Sequence, residues 1–354
     1  MVTGRVALKL LTGGEKFNKR TNSKLRGRKA MLLTNLQLKN FIYRIRLKPE
    51  NMQAYRVQLE NLKTSLEEKI KNDNRTGIKV TKFIIAGSWK KRTILRRSTD
   101  HPIDIDLVLY VEGDENLKND LETLHDFVFE YLKEIYPTKD IFRDVDVAGK
   151  TKSIKIKFIG SGLEVDIVPV VPIQSPLEYV LQPQRGGGGK YITSVTGQLS
   201  FAQKIRGDNS SYTRIVRALK WWRNYKELKP DLSSYMIELI VSYLDLNFGV
   251  ENNIEEGIIR FFKFVSDPGF PEIHFKQAIN SIPAYSTPVF IGDPANNENN
   301  TAKALNKNSW NEIVNEANEA FETLNYAQAR NFIGDTIAEW KRVFGPSFNI
   351  DEEE

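Results

Sequence analysis

The chain has 354 residues, 40% of them hydrophobic, with three histidines, no cysteine and a formal net charge of +6 at pH 7. This excludes disulfides and thiolate metal sites, and His101, His125 and His274 are too scattered for an imidazole metal site or a catalytic triad. The apolar content suffices for a large core in two packed lobes, and no apolar run has the form of a membrane span or secretory signal, so a cytoplasmic protein without a membrane partner is expected.

The first 48 residues hold 13 Lys and Arg against a single acid, Glu15, which leaves the remainder mildly acidic. Residues 1–30, with Lys16, Lys19, Arg20, Lys24, Arg26, Arg28 and Lys29 among Gly, Asn, Ser and Thr, lack apolar periodicity and read as a mobile basic arm. Such an arm suits contact with nucleic acid or an acidic partner; the plainer alternative is a tail without function, with Met31 as an alternative start.

From Lys48 the pattern changes. Pro49 suits a first helical turn, and Met52, Tyr55, Leu59, Leu62, Leu66 and Ile70 recur three and four apart, predicting a long spine helix. A turn over 72–77 leads to a strand over 78–86, a short helix over 89–95, a loop and a second strand over 103–111. A helix over 117–136 shows Leu121, Leu124, Val128, Tyr131, Leu132 and Ile135 on one face. Next comes a hairpin: residues 153–158 alternate as a half-buried strand, Gly160-Ser161-Gly162 turns, and 163–171 returns, closed by Pro169, Pro172 and Pro176. Gly186–Gly189 lack the strand-then-helix setting of a phosphate loop and read as a flexible surface loop near the cleft. The rest is helical, over 197–206, 212–225, 234–247, 253–265, 310–325 and 333–344. The expected domains are the arm over 1–30, a sheet-bearing lobe with the spine over 31–175, and a helical lobe with an acidic tail over 176–354.

Three carboxylates carry the chemistry. Alternate strand residues share a face, so Asp104 and Asp106 present carboxylates about 7 Å apart. Asp166 sits in Glu164-Val165-Asp166-Ile167-Val168, where apolar neighbours leave a charge little reason to exist unless it is paired or holds a metal. If a neighbouring strand brings Asp166 to the first pair, the trio can hold two Mg2+ ions about 3.5–4 Å apart, the arrangement used in nucleotidyl transfer. Gly87-Ser88, at the end of the first strand, lets backbone approach phosphates and adds a hydroxyl donor. Arg214, Arg217, Lys220 and Arg223 form a basic stripe beside Trp221-Trp222, three of the four reading as a solvated face. Ser234, which without the carboxylates would be only an N-cap, suits phosphate at a helix N-terminus, and Tyr235 suits stacking on a base.

Gly87-Ser88, Asp104-Ile105-Asp106, the run Ser161 to Pro169, Arg217 to Trp222, Ser234 to Leu239, and Gly292-Asp293-Pro294 through Asn300 together resemble the cGAS/DncV-like nucleotidyltransferases. These are oligonucleotide cyclases of CBASS anti-phage defence. The resemblance covers roughly 45–348 and is nearest to the branch that makes cyclic trinucleotides under HORMA-domain regulators. It implies an α+β, polymerase-beta-like catalytic lobe joined to a helical lobe, with two Mg2+ (or Mn2+) on Asp104, Asp106 and Asp166. It implies NTP substrates, ATP among them, with Gly87, Ser88, Lys220 and Ser234 on the donor triphosphate, Tyr235 on its base and Asp293 near the nucleotide. Asp166 would assist deprotonation of the acceptor 3′-hydroxyl, and a downstream effector would meet the enzyme only through the cyclic product. Two residues depart from the pattern: Arg92 stands where a small Gly is usual, and Asn297 replaces the second Pro of Asp-Pro-x-x-Pro-x-x-Asn. Without cysteine there is no zinc thumb of the cGAS kind, so activation by long DNA through that device is not expected. Two alternatives remain open at this point: a linear oligoadenylate synthetase or RNA- or protein-modifying nucleotidyltransferase, and an inactive nucleic-acid-binding protein of the same fold.

Overall fold

The computed structural model describes residues 32–74, 76–98, 101–113, 118–143, 153–183, 190–229, 231–249 and 253–351. The basic arm and the four consecutive glycines lie outside them. The described residues begin with α1 (Asn35–Ile45), where Thr34 and Gln37 form a reciprocal capping box and Leu38, Phe41, Ile42 and Ile45 are buried at helical spacing. The spine helix follows as α2 (Pro49–Lys71), burying Leu59, Leu62, Leu66 and Ile70.

Strand β1 (Lys79–Ile85) runs into the single-turn helix α3 (Gly87–Lys90), then β2 (Ile103–Glu112), α4 (Leu121–Ile135), β3 (Asp140–Arg143), β4 (Ile154–Phe158), β5 (Leu163–Pro172), β6 (Val180–Pro183) and β7 (Lys190–Thr193). Helices α5 (Val195–Asp208), α6 (Tyr212–Tyr225), α7 (Ser234–Phe248), α8 (Ile254–Val265), α9 (Lys307–Gln328) and α10 (Ile333–Phe344) complete the α+β architecture. The sheet order is β1-β2-β5-β4-β3, with β6 pairing β5 and β7 pairing β6. Strands β2 and β5 are parallel, because α4, β3 and β4 form the crossover between them; the other pairs are antiparallel.

Period-two alternation divides β2 cleanly. Ile103, Ile105, Leu107, Leu109 and Val111 join Leu62, Leu66, Leu124 and Val128 in the core between the sheet and α2 and α4. Asp104 and Asp106 face the other way, ahead of Val108 and Tyr110, which pack with Val170, Val180 and Val195 in a small apolar cluster. A third cluster holds the helical lobe together around Trp222, Phe261, Phe262, Trp340, Phe344 and Phe348.

The structure differs from the sequence expectation in several places. Helix α1 packs into the helical lobe, Phe41 meeting Phe344 and Phe348 at ring-centroid distances of 5.7 and 4.7 Å, so the chain enters that lobe before building the sheet. Strands β6 and β7 extend the sheet beyond residue 175, the boundary read from sequence. The helix expected over 89–95 is α3, which starts at Gly87 and stops at Lys90, and Arg92 then takes a left-handed φ of 60°. Pro169 lies inside β5, opposite Leu109 and two residues past the last β4 partner, Ile167, where β4 no longer requires an N–H from it.

Candidate active site

The parallel register of β2 and β5 sets Asp106 opposite Asp166 and Asp104 opposite Glu164. Four carboxylates from two adjacent strands therefore share one face. The three predicted from sequence come together; the fourth, Glu164, was missed although it stands two residues from Asp166, the same spacing that flagged Asp104 and Asp106.

Gly87 meets this face from above. The Ala86 N–H donates to the Asp106 carbonyl at 2.8 Å, tying the end of β1 to β2. Gly87 has φ +54°, and a Cβ built there would fall 2.5 Å from Asp106 Cγ. Only glycine lets the backbone lie against the Asp106 carboxylate. Ser88 follows in the first turn of α3.

Electrostatics mark the same spot. Burial, reinforced by the charge of Asp104, raises the Asp106 carboxyl to about 6, against the opposing pull of Lys91 and Lys220. Asp104 Oδ1 is buried and accepts no hydrogen bond from the described residues. The gap between the strands is spanned by Lys155 on β4, whose Nζ lies 3.5 Å from Asp104 Oδ1, 3.5 Å from Asp166 Oδ2 and 3.1 Å from Glu164 Oε2. Lys157 adds a second contact to Glu164 at 3.3 Å, and these two ammonium groups outweigh burial and hold Glu164 below its ordinary range.

As placed, no three acidic or histidine side chains among the described residues converge on one point fit for a metal ion. The donor set nonetheless fits one. Carboxylate oxygens suit hard divalent cations. The raised Asp106 marks negative charge that the protein leaves incompletely compensated, and Lys155, ion-paired with Asp104 Oδ1, shows that the gap accepts a positive charge.

The helical lobe brings a second group of charges to the site. Lys220 is 4% exposed, and burial lowers its ammonium to about 8, with Glu238 and Asp106 the negative charges that favour it. Its Nζ donates to the Thr93 carbonyl at 3.1 Å. Glu238 on α7, 3% exposed, accepts from Lys91 Nζ at 2.9 Å and Thr93 Oγ1 at 2.8 Å. The loop after α3 is thus bolted to α6 and α7 by a buried ionic cluster. Sequence reasoning missed Glu238, yet a lone charge within the apolar run Met236 to Leu244 is the signal that identified Asp166.

The basic stripe of α6 is not the solvated face expected for three of its members. Arg223 is 3% exposed and donates to Ser234 Oγ at 3.0 Å, while Arg217 donates to the Arg92 carbonyl at 2.5 Å. Burial, with Arg46 and Arg214 nearby, lowers the Arg217 guanidinium to about 10. The N-cap of α7 is Ser233, whose hydroxyl accepts from the Met236 N–H; Ser234 is the first helical residue.

Tyr235 is partly exposed, with Lys91 Nζ 4.1 Å from its ring centroid and its hydroxyl 3.3 Å from Asp293 Oδ1. Asp293 itself is fully buried and accepts from Thr193 Oγ1 at 2.8 Å, Gln198 Nε2 at 2.7 Å and the Ala295 N–H at 2.9 Å. A carboxylate so occupied positions Tyr235 through its hydroxyl. The two departures also have physical accounts. Arg92 occupies a left-handed turn that a glycine adopts without strain, and its carbonyl anchors Arg217. Asn297 donates to the Asn280 carbonyl at 3.2 Å, so the loop is closed by side-chain hydrogen bonds where a proline would have stiffened it.

Residues 32–192 match the Second Messenger Oligonucleotide or Dinucleotide Synthetase domain. The chain is 32% identical over 324 residues to the CBASS oligonucleotide cyclase CdnC of Escherichia coli strain KTE188, covering 91% of this chain and 99% of that protein. It is 30% identical over 305 residues to the cyclic AMP-AMP-AMP synthase of E. coli strain MS 115-1, covering 83% and 91%. The structure of E. coli MS115-1 CdnC in complex with HORMA-deltaN superposes with a TM-score of 0.72 at 27% identity, over 90% of this chain and 98% of that one. Vibrio cholerae DncV shares the fold at TM-score 0.67 and 12% identity, over 89% and 96%. The chain, with its carboxylates gathered on one sheet face beneath a glycine turn, is a nucleotidyltransferase and belongs to the CBASS oligonucleotide cyclases of the cGAS/DncV-like family.

Proposed function

We propose that this cyclase condenses ATP, alone or with other NTPs, into a cyclic di- or trinucleotide in the cytoplasm, using Mg2+ and under control of a HORMA-domain partner. The register that sets Asp106 opposite Asp166, with Gly87 pressed onto Asp106, carries the chemical part of this reading. The relatives support the nucleotide and the partner: one is named a cyclic AMP-AMP-AMP synthase, and CdnC structures have been solved with ATP and with HORMA-deltaN.

Asp104, Asp106 and Asp166 would hold the divalent ions, which when bound neutralise the triphosphate and acidify the acceptor 3′-hydroxyl. The protein's own groups do the positioning. Gly87 brings backbone close to the phosphates, and Ser88 offers a hydroxyl donor. Arg223 takes a lone pair of Ser234 Oγ, leaving its proton to point at a phosphate. Lys220, still charged at neutral pH, adds positive potential beside Asp106. Tyr235 receives the base on the ring face away from Lys91. Asp166 accepts the proton of the attacking hydroxyl, and each bond forms with loss of pyrophosphate until an internal attack closes the ring.

Incubation with all four NTPs and Mg2+, with and without the HORMA partner, followed by mass spectrometry, tests this. The expected product is a phosphatase-resistant cyclic nucleotide containing adenine. Linear products alone, or a labelled RNA or protein, would replace the reading with one of the sister activities.

A further inference from the structure

We infer that Lys155 is a resident counter-cation of the carboxylate face, one that must release Asp104 and Asp166 before metal can bind and so sets the metal concentration at which the site loads. The inference rests on the metal-holding role of Asp104 and Asp166 proposed above.

Three observations carry it. First, Lys155 stands opposite Asp166 in the β4–β5 register, so its side chain rises on the carboxylate face. Its ammonium is equidistant, at 3.5 Å, from one oxygen each of Asp104 and Asp166. A divalent ion bound to those oxygens at about 2.0–2.1 Å would occupy the space this ammonium fills, and two cations within about 4 Å repel strongly at the rim of a protein cleft. Second, Lys155 is 14% exposed and Glu164 15%, so the pair is sheltered from the screening that weakens surface ion pairs. Third, Glu164 Oε2, at 3.1 Å, is the nearest of the three carboxylate oxygens to Nζ. Glu164 therefore gives the ammonium a place to stay paired when it leaves the other two, and the exchange strands no charge. Lys157 makes the internal comparison: it lies on the same strand and face, carries the same charge and, among the described carboxylates, pairs with Glu164 alone, at 38% exposure.

The test is Mn2+ binding to the full chain without nucleotide, followed by the electron paramagnetic resonance signal of free Mn2+ at fixed ionic strength. Lys155→Met and Lys155→Gln are each expected to bind Mn2+ at least about tenfold more tightly than the unsubstituted protein, and Lys157→Met within about threefold of it. Circular dichroism confirms folding, and either Lys155 variant suffices if the other fails. Unchanged or weaker Mn2+ binding in a folded Lys155 variant overturns the inference. So does an equal gain in Lys157→Met, which would make the effect one of net charge. Asp104→Asn separates this from the underlying reading: if it leaves Mn2+ binding unaltered, the metal-holding role itself fails.

Discussion

Replacing Gly87 by alanine tests the site without touching a charged group. The position has φ +54°, and the added methyl would lie 2.5 Å from Asp106 Cγ and 3.2 Å from Asp106 Cβ, where ordinary contact begins at 3.4 Å. The carboxylate carbon must therefore retreat by about 1 Å, and a misplacement of that size in catalytic geometry costs on the order of 100-fold in rate. The left-handed backbone adds roughly 1–2 kcal/mol of strain, which in a chain of this length lowers the melting temperature by at most about 2–4 °C. Gly87→Ala is thus expected to stay folded while cyclic product formation from labelled NTPs falls at least about 100-fold. The assay is initial rate at saturating Mg2+, with thermal unfolding measured in parallel. Activity within about threefold of the unsubstituted enzyme, in a folded protein, would show that Asp106 is not held against this turn or that its position does not matter.

Asp106→Asn should abolish synthesis yet stabilise the metal-free protein at neutral pH. The folded carboxyl titrates near 6 against 3.8 as its ordinary value, so the native state binds the extra proton between those values, and stability declines as pH rises through them. Above pH 6 the full cost, on the order of 3 kcal/mol, is present and the amide removes it; near pH 4 the two proteins should unfold alike in urea. The pH profile of kcat/KM at subsaturating metal should rise with the ionisation of Asp106 near 6 and fall as Lys220 loses its proton near 8. Added Mg2+ should move the acidic limb to lower pH, and a limb insensitive to metal would deny that Asp106 is a ligand. Glu238→Ala leaves Lys91 buried without its carboxylate partner and should cost about 3–5 kcal/mol by denaturant unfolding. A loss below about 1 kcal/mol would mean that the cluster does not bolt the lobes together.

Much of this was legible in the sequence because period-two and period-3.6 patterns report directly which face is buried. Asp104, Asp106 and Asp166 stood out as charges on otherwise apolar strands, and the register then placed them together. Helix α6 and helix α10 fall where the apolar spacing put them, at 212–225 and 333–344. What escaped were features set by packing between distant segments. Helix α1 is only 11 residues long and follows a basic run, so its capping box at Thr34 went unread beside the charge. Arg223 looked like a solvated charge because nothing local shows that the Leu232 carbonyl and Ser234 will lie over it. Asp293 was read from a motif, which records that a residue is needed without saying what it touches; its partners Thr193 and Gln198 lie about a hundred residues earlier. Lys155 was visible only as one polar member of an alternating strand, and its meaning depends on the register with β5.

The most direct test of the whole account is a crystal structure with Mn2+ and a non-hydrolysable ATP analogue, read by anomalous scattering. The account predicts two Mn2+ peaks about 3.5–4 Å apart on Asp104, Asp106 and Asp166, with the triphosphate against Gly87 and Ser88. Peaks elsewhere, or a bound nucleotide with no metal between β2 and β5, would contradict it.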